Sequence, residues 1–134
     1  MAERVLIAGA ATGPVLVLDE PISFWGGLDP STGVVIDRRH PQEGTSISGT
    51  ILVMETGRGS SSGSNGFAEA IRRGTAPAAI VMLEPDEILV IGALVASELY
   101  DLTVPIVVVD ETTFRGLRSG SQASLDSSGR LTVP

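Results

Sequence analysis

From Thr45 onward the chain alternates between short aliphatic runs and segments with helical spacing, and this alternation constrains the fold more than any other feature. Thr45–Met54, TSISGTILVM, reads as a strand whose second half is a continuous apolar run suited to burial. Phe67–Arg73 has helical spacing, with Gly74 as its stop. Ala78–Leu83 reads as a strand, broken by Glu84-Pro85-Asp86. Glu87–Ile91 then reads as a short strand, Gly92–Leu99 as a short helix, Val104–Val109 as a buried strand and Thr112–Leu117 as a helical turn. Ser121–Val133 reads as a hairpin around Asp126-Ser127-Ser128-Gly129.

The first half is rich in strand signals. Arg4–Ala8 and Val15–Leu18 are short β-rich runs separated by a turn-forming Gly9–Gly13 stretch. An irregular segment, Pro21–Pro30, leads to a turn at Asp29-Pro30-Ser31-Thr32-Gly33, where Pro presets φ and Gly frees the exit. Val34–Asp37 reads as another strand. A strand-rich half followed by strands leading into helices predicts a mixed α/β fold, a β/β/α domain. No repeat or long linker divides residues 1–134, so a single domain is expected.

Composition narrows the function. With 43% apolar and 19% charged residues the chain is expected to fold, and with only 4% aromatics its core must be aliphatic. The net charge of −7 and the lack of a basic stripe argue against nucleic acid and anionic membrane surfaces. There is no Cys, hence no thiolate nucleophile and none of the usual ligands of an iron–sulfur cluster. The single histidine, His40, makes an internal zinc site unexpected and reads as a surface or structural residue. The N-terminus lacks a signal-peptide pattern and no apolar run is long enough to span a bilayer, so the cytoplasm is the expected location.

The chemistry is expected at Gly57-Arg58-Gly59-Ser60-Ser61-Ser62-Gly63-Ser64, between a buried strand and a helix. Such stretches are often flexible connectors. At a strand–helix junction, however, glycines let backbone N–H groups converge, the helix adds its positive end, and Arg58 adds a contact for a carboxylate or phosphate. A Walker A loop requires Lys, and this chain has none. The spacing G-x-G-x-x-x-G departs from the dinucleotide fingerprint. A serine hydrolase lacks its G-x-S-x-G elbow here and has only His40 as an imidazole partner. What remains is serine as a general base beside a carboxylate, its anion held by N–H donors and a cation.

Gly59-Ser60-Ser61 resembles the Gly-Ser-Ser of the aconitase swivel domain, whose first serine is the catalytic base. The wider set EPISFWGGLDPSTGVVID, HPQEG, GRGSSSGS and VIGALVASELYDLTVPIVV is similar to the small subunit of aconitase X enzymes along nearly the whole chain. The resemblance implies a swivelling β/β/α domain and a hydro-lyase active only with a larger, cysteine-bearing subunit. That subunit would carry the iron–sulfur cluster, and a small carboxylate would be the substrate. It implies Ser60 as the base and places Arg58, Gly59, Ser61, Ser62, Ser64, Ser23, Trp25, Gly26 and Gly27 around the substrate. Aconitase follows its Gly-Ser-Ser with Arg where this chain has Ser62, so the cation is expected to be Arg58 instead. A second likeness, of Ala93–Leu99 and Val104-Pro105 to the phosphohistidine swivel domain, supports a swivelling fold only. Ile91 stands where that family has its phosphorylated His.

Two substrates fit the family, cis-3-hydroxy-L-proline and mevalonate 5-phosphate. All nine basic residues are Arg, a high-GC bias that favours the bacterial hydroxyproline reaction. A non-catalytic binding module with a swivel fold is the alternative of another class. Read without the family, Trp25 is a core anchor for its loop, and Ile88–Val95 is core or covered by a partner.

Overall fold

The computed structural model describes residues 2–58 and 62–134. Its centre is a parallel group of strands: β2 (Ala11–Val17), β5 (Ile51–Met54), β6 (Ala79–Met82) and β7 (Ile106–Val109). Strand β1 (Ala2–Ile7) pairs antiparallel with β7, and β8 (Gln122–Leu125) and β9 (Leu131–Thr132) extend the other side. The order across the seven-stranded sheet is β1-β7-β6-β5-β2-β8-β9. Two-residue strands β3 (Leu28–Asp29) and β4 (Val34–Val35) form a separate ribbon.

The sheet cannot be flat. β1 and β2 are four strand spacings apart, about 19 Å across a flat sheet. The four Cα steps from Ile7 to Ala11 reach at most about 14 Å. The sheet therefore curls to bring its β1 edge back toward β2, and the connection passes the start of β7, where a Cβ on Gly9 would lie 3.3 Å from the Pro105 ring.

The aliphatic strands sort their side chains by the two-residue period. Leu52, Met54, Ile80, Met82 and Ile106 face one core with helix α1 (Ser62–Arg73), helix α2 (Glu87–Tyr100) and the irregular segment around Ile22, Phe24 and Ile47. Ile51, Val53, Val81, Val107 and Val109 face a second core closed by Phe114 of helix α3 (Glu111–Gly116), Leu117 and the β8–β9 hairpin. Each strand is thus buried on both faces, as its unbroken apolar run requires. The layers are helix, sheet and outer hairpin, a β/β/α domain as expected.

Several local expectations are corrected. Gly9–Gly13 is not all turn: β2 begins at Ala11, and Gly13 pairs with Ala123 of β8. Its glycine serves a close approach, since a Cβ there would collide with the Gly49 carbonyl. Thr45–Thr50 is not strand; it bends through Gly49 at φ 69°, and only Ile51–Met54 joins the sheet. The strand expected at Val34–Asp37 shortens to Val34–Val35. Glu87–Ile91 is not a strand, because Asp86 caps the helix there by accepting from the Ile88 N–H at 2.8 Å. Gly92 does not break α2 either. It is where α2 meets α1, and a Cβ there would lie 2.8 Å from the Ser64 carbonyl oxygen and 3.1 Å from the Phe67 ring. No helix among the described residues is long and apolar enough to cross a membrane.

Candidate active site

Parallel strands gather their following loops at their C-terminal ends, where open α/β sheets bind ligands. Here that end collects Leu18–Glu20 after β2, Glu55–Arg58 after β5 and Leu83–Asp86 after β6. The last two loops are tied together: the Glu55 carbonyl accepts from the Leu83 N–H at 3.1 Å and the Glu84 N–H at 2.9 Å. Gly57 is required by this junction, because a Cβ there would run into the Asp86 carboxylate. Helix α1 starts at Ser62, so Ser62 and Ser64 sit in its first turn with Arg58 just ahead of it. The residues between, Gly59, Ser60 and Ser61, among them the expected base, lie outside the described residues.

Arg58 reaches across to the loop after β2, where its Nη2 donates to Oε1 of Glu20 at 3.3 Å. Both side chains are roughly half exposed, at 44% and 48%. Beneath the pair the backbone is braced. His40, only 4% exposed, donates from Nε2 to the Glu20 carbonyl at 2.8 Å. Its Nδ1 accepts the Gln42 N–H at 3.0 Å, which fixes the neutral tautomer with the proton on Nε2. The Gln42 side chain donates to the Val17 carbonyl at 2.7 Å and accepts from the Asp19 N–H at 2.9 Å. His40 is therefore structural, and the turn HPQEG exists to hold the strand end that carries Glu20. In the sequence alone Glu20 reads as an ordinary loop charge. The available signal was its place at the head of EPISFWGG, together with an otherwise purposeless HPQEG.

The segment Ser23–Gly27 lies against the flank of α1. Phe24, not Trp25, is the anchor: it is 3% exposed and its ring centroid lies 4.8 Å from that of Phe67. Trp25 is 61% exposed, which corrects its reading as a core anchor. Contact is close because Gly66 has no side chain; a Cβ there would strike the Phe24 carbonyl oxygen. Trp25 and Gly26 line an apolar groove of about 360 Å³ with Leu28, Pro30, Asn65 and Gly66. The other two expected residues of this segment are engaged within it. The Ser23 hydroxyl donates to the Trp25 carbonyl at 2.9 Å and accepts the Trp25 N–H at 3.1 Å, while the Gly27 carbonyl accepts from the Ile36 N–H at 3.0 Å.

The strand ends are strongly acidic. Asp19, Glu20, Glu55, Glu84 and Glu87 are exposed there and Asp86 is partly so, with two cations among them: Arg58 in the loop after β5, and Arg115 of α3, whose Nη2 donates to Oε1 of Glu55 at 3.1 Å. Among the described residues no group of three or more His, Cys, Asp or Glu side chains could hold a metal ion. The arrangement suits a small anionic group met by Arg58 within a rim that repels additional negative charge.

Comparison with known proteins gives a consistent picture. A family model described as the aconitase X swivel domain matches residues 1–133. A cis-3-hydroxy-L-proline dehydratase of Pseudomonas aeruginosa is 48% identical over 108 residues, covering 81% of this chain and 19% of that protein. A phosphomevalonate dehydratase small subunit of Methanothermobacter thermautotrophicus is 47% identical over 93 residues, covering 69% of this chain and 71% of that one. The crystal structure of Thermococcus kodakaraensis aconitase X in its holo-form superposes with a TM-score of 0.85 at 32% identity, over 98% of this chain and 95% of that one. The chain spans about one fifth of the length of the hydroxyproline dehydratases it matches.

Proposed function

This chain belongs to the aconitase X swivel-domain family, and on that premise we propose that it is the serine-bearing small subunit of a dehydratase acting on cis-3-hydroxy-L-proline. The observation that supports the reading is the junction after β5, where Arg58 and Ser62, the first residue of α1, lie at the C-terminal end of the parallel strands and bracket Gly59-Ser60-Ser61 in the sequence. Ser60, as its anion, takes the proton from the carbon that bears the substrate carboxylate. The β-hydroxyl departs with a proton as water, leaving a carbon–carbon double bond. Arg58 pairs with the carboxylate, and N–H donors at the start of α1 stabilise the charge on the serine oxygen.

The family resemblance implies an iron–sulfur cluster, which would supply Lewis-acid chemistry for the departing hydroxyl. This chain has no cysteine, so its residues do not fit such a cluster, and a larger, cysteine-bearing subunit would hold it. Members of the family named as small subunits support such a partner.

The acidic rim around Arg58 favours a zwitterion with one carboxylate over mevalonate 5-phosphate, which carries a carboxylate and a phosphate. One observation favours the phosphate substrate: the archaeal small subunits match this chain over most of their own length. Co-expression with the larger subunit, followed by assay of both compounds, decides. Turnover of cis-3-hydroxy-L-proline by the complex supports the proposal. Turnover of mevalonate 5-phosphate alone moves the activity to the second reading, and an active, cluster-free lone chain overturns the subunit assignment.

A further inference from the structure

We propose that Glu20 is a specificity-determining residue, and that the Arg58–Glu20 ion pair recognises the paired charges of an α-amino acid. This rests on the reading of Arg58 as the carboxylate contact. The substrate's carboxylate and ring nitrogen are bonded to one carbon, so its negative and positive charges lie side by side. The protein presents the complementary pair, a guanidinium and a carboxylate 3.3 Å apart at the C-terminal ends of β2 and β5. The two pairs can meet as a square of alternating charge, Arg58 to the carboxylate and Glu20 to the ammonium.

Three observations single out Glu20 from the other acids of the rim. Its contact with Arg58 is a single hydrogen bond to Oε1 at 3.3 Å rather than a fork over both carboxylate oxygens. Asp86 is committed elsewhere, capping α2 through Oδ1 with its other oxygen packed over Gly57. The backbone under Glu20 is held from both sides by buried His40 and by Gln42, which bond the Val17 and Glu20 carbonyls and the Asp19 N–H. Four hydrogen bonds, including the one between His40 and Gln42, are more than an idle surface charge needs. They keep the carboxylate in place while its long side chain stays accessible, so recognition does not have to order the loop first.

The test uses two competitive ligands of the assembled dehydratase with the same five-membered ring and carboxylate: L-proline, which has the ammonium, and tetrahydrofuran-2-carboxylate, which has an ether oxygen instead. Wild type should bind proline more tightly. Glu20→Gln keeps the shape and the contact to Arg58 but removes the charge. It should narrow the preference by roughly tenfold or more, the worth of a charge-assisted hydrogen bond, and leave the binding of tetrahydrofuran-2-carboxylate nearly unaffected. Arg58→Gln should weaken both ligands alike. An unchanged preference in Glu20→Gln, or no preference in wild type, overturns the role of Glu20 while leaving Arg58 standing. If Arg58→Gln affects neither ligand, the carboxylate contact itself is wrong and the inference falls with it.

Discussion

The two ends of α1 carry ion pairs of opposite character. At its C-terminal end Glu69 is saturated: Arg72 forks onto it with two bonds of 2.7 Å, and Arg73 adds a third at 2.8 Å. These hydrogen bonds to Arg72 and then Arg73 hold the Glu69 carboxyl down at about 2, and the two cations also suit the helix's negative end. Near its N-terminal end Arg58 meets Glu20 through one bond of 3.3 Å. The tight cluster has little left to offer a ligand. The loose pair is joined by a single longer bond, and both of its side chains are roughly half exposed. The pairs within the helix fasten the fold, whereas the pair between the loops ahead of it is held loosely.

Changes at the two ends should accordingly have opposite signatures. The largest effect is expected from Ser60→Ala, which should lower kcat of the assembled enzyme by about 10²–10⁴-fold. Its thermal midpoint should stay close to that of wild type, because the role proposed for the hydroxyl is chemical. Arg58→Gln should raise KM by about tenfold or more, with a smaller change in kcat, measured by steady-state kinetics. In the middle of the helix, Gly66→Ala should disturb both properties. Its new methyl must displace the Phe24–Trp25 backbone, an overpacking cost of about 1–3 kcal/mol seen in urea unfolding, and the Trp25 groove deforms with it. Glu69→Gln should have the smallest effect, a slight loss of stability with kcat nearly unchanged, although Glu69 also lines the Trp25 groove. Because the folded-state pKa of Glu69 is depressed, its contribution is fully present above the ordinary carboxylate value and is lost as pH falls toward about 2. The difference between wild type and Glu69→Gln should therefore shrink with acidification. A larger loss of activity from Glu69→Gln than from Arg58→Gln would erase the contrast.

The elements that could be read from sequence are those whose pattern is decided locally. Ala78–Leu83 and Val104–Val109 announce themselves because strands buried on both faces need unbroken aliphatic runs, and β6 and β7 lie inside them. Gly74 stops α1 at φ 77°, and Asp126 organises the final hairpin. The family signature placed the chain in its fold and located the Arg58 loop. Misreadings arose where glycine serves packing rather than bending. Gly13 admits the Gly49 carbonyl and Gly92 admits α1, so a turn was expected where β2 had begun and a break where α2 continues. Phe24 and Trp25 are neighbours of similar bulk, and only the tertiary approach of α1 decides which one is buried. The site was half visible. Arg58 is proposed from its place in the loop, whereas Glu20 is brought to it across 38 residues by the pairing of β2 with β5, which local pattern does not encode.

The central claim is that Ser60 is the base, and α-proton exchange tests it most directly. Bound substrate in deuterium oxide should exchange its proton next to the carboxylate in the wild-type complex, as followed by proton NMR. Exchange should vanish in Ser60→Ala, while Ser61→Ala retains it and mainly weakens binding. Exchange that persists in Ser60→Ala and disappears with Ser61→Ala or Ser62→Ala would contradict the account and move the base to another oxygen of the same loop.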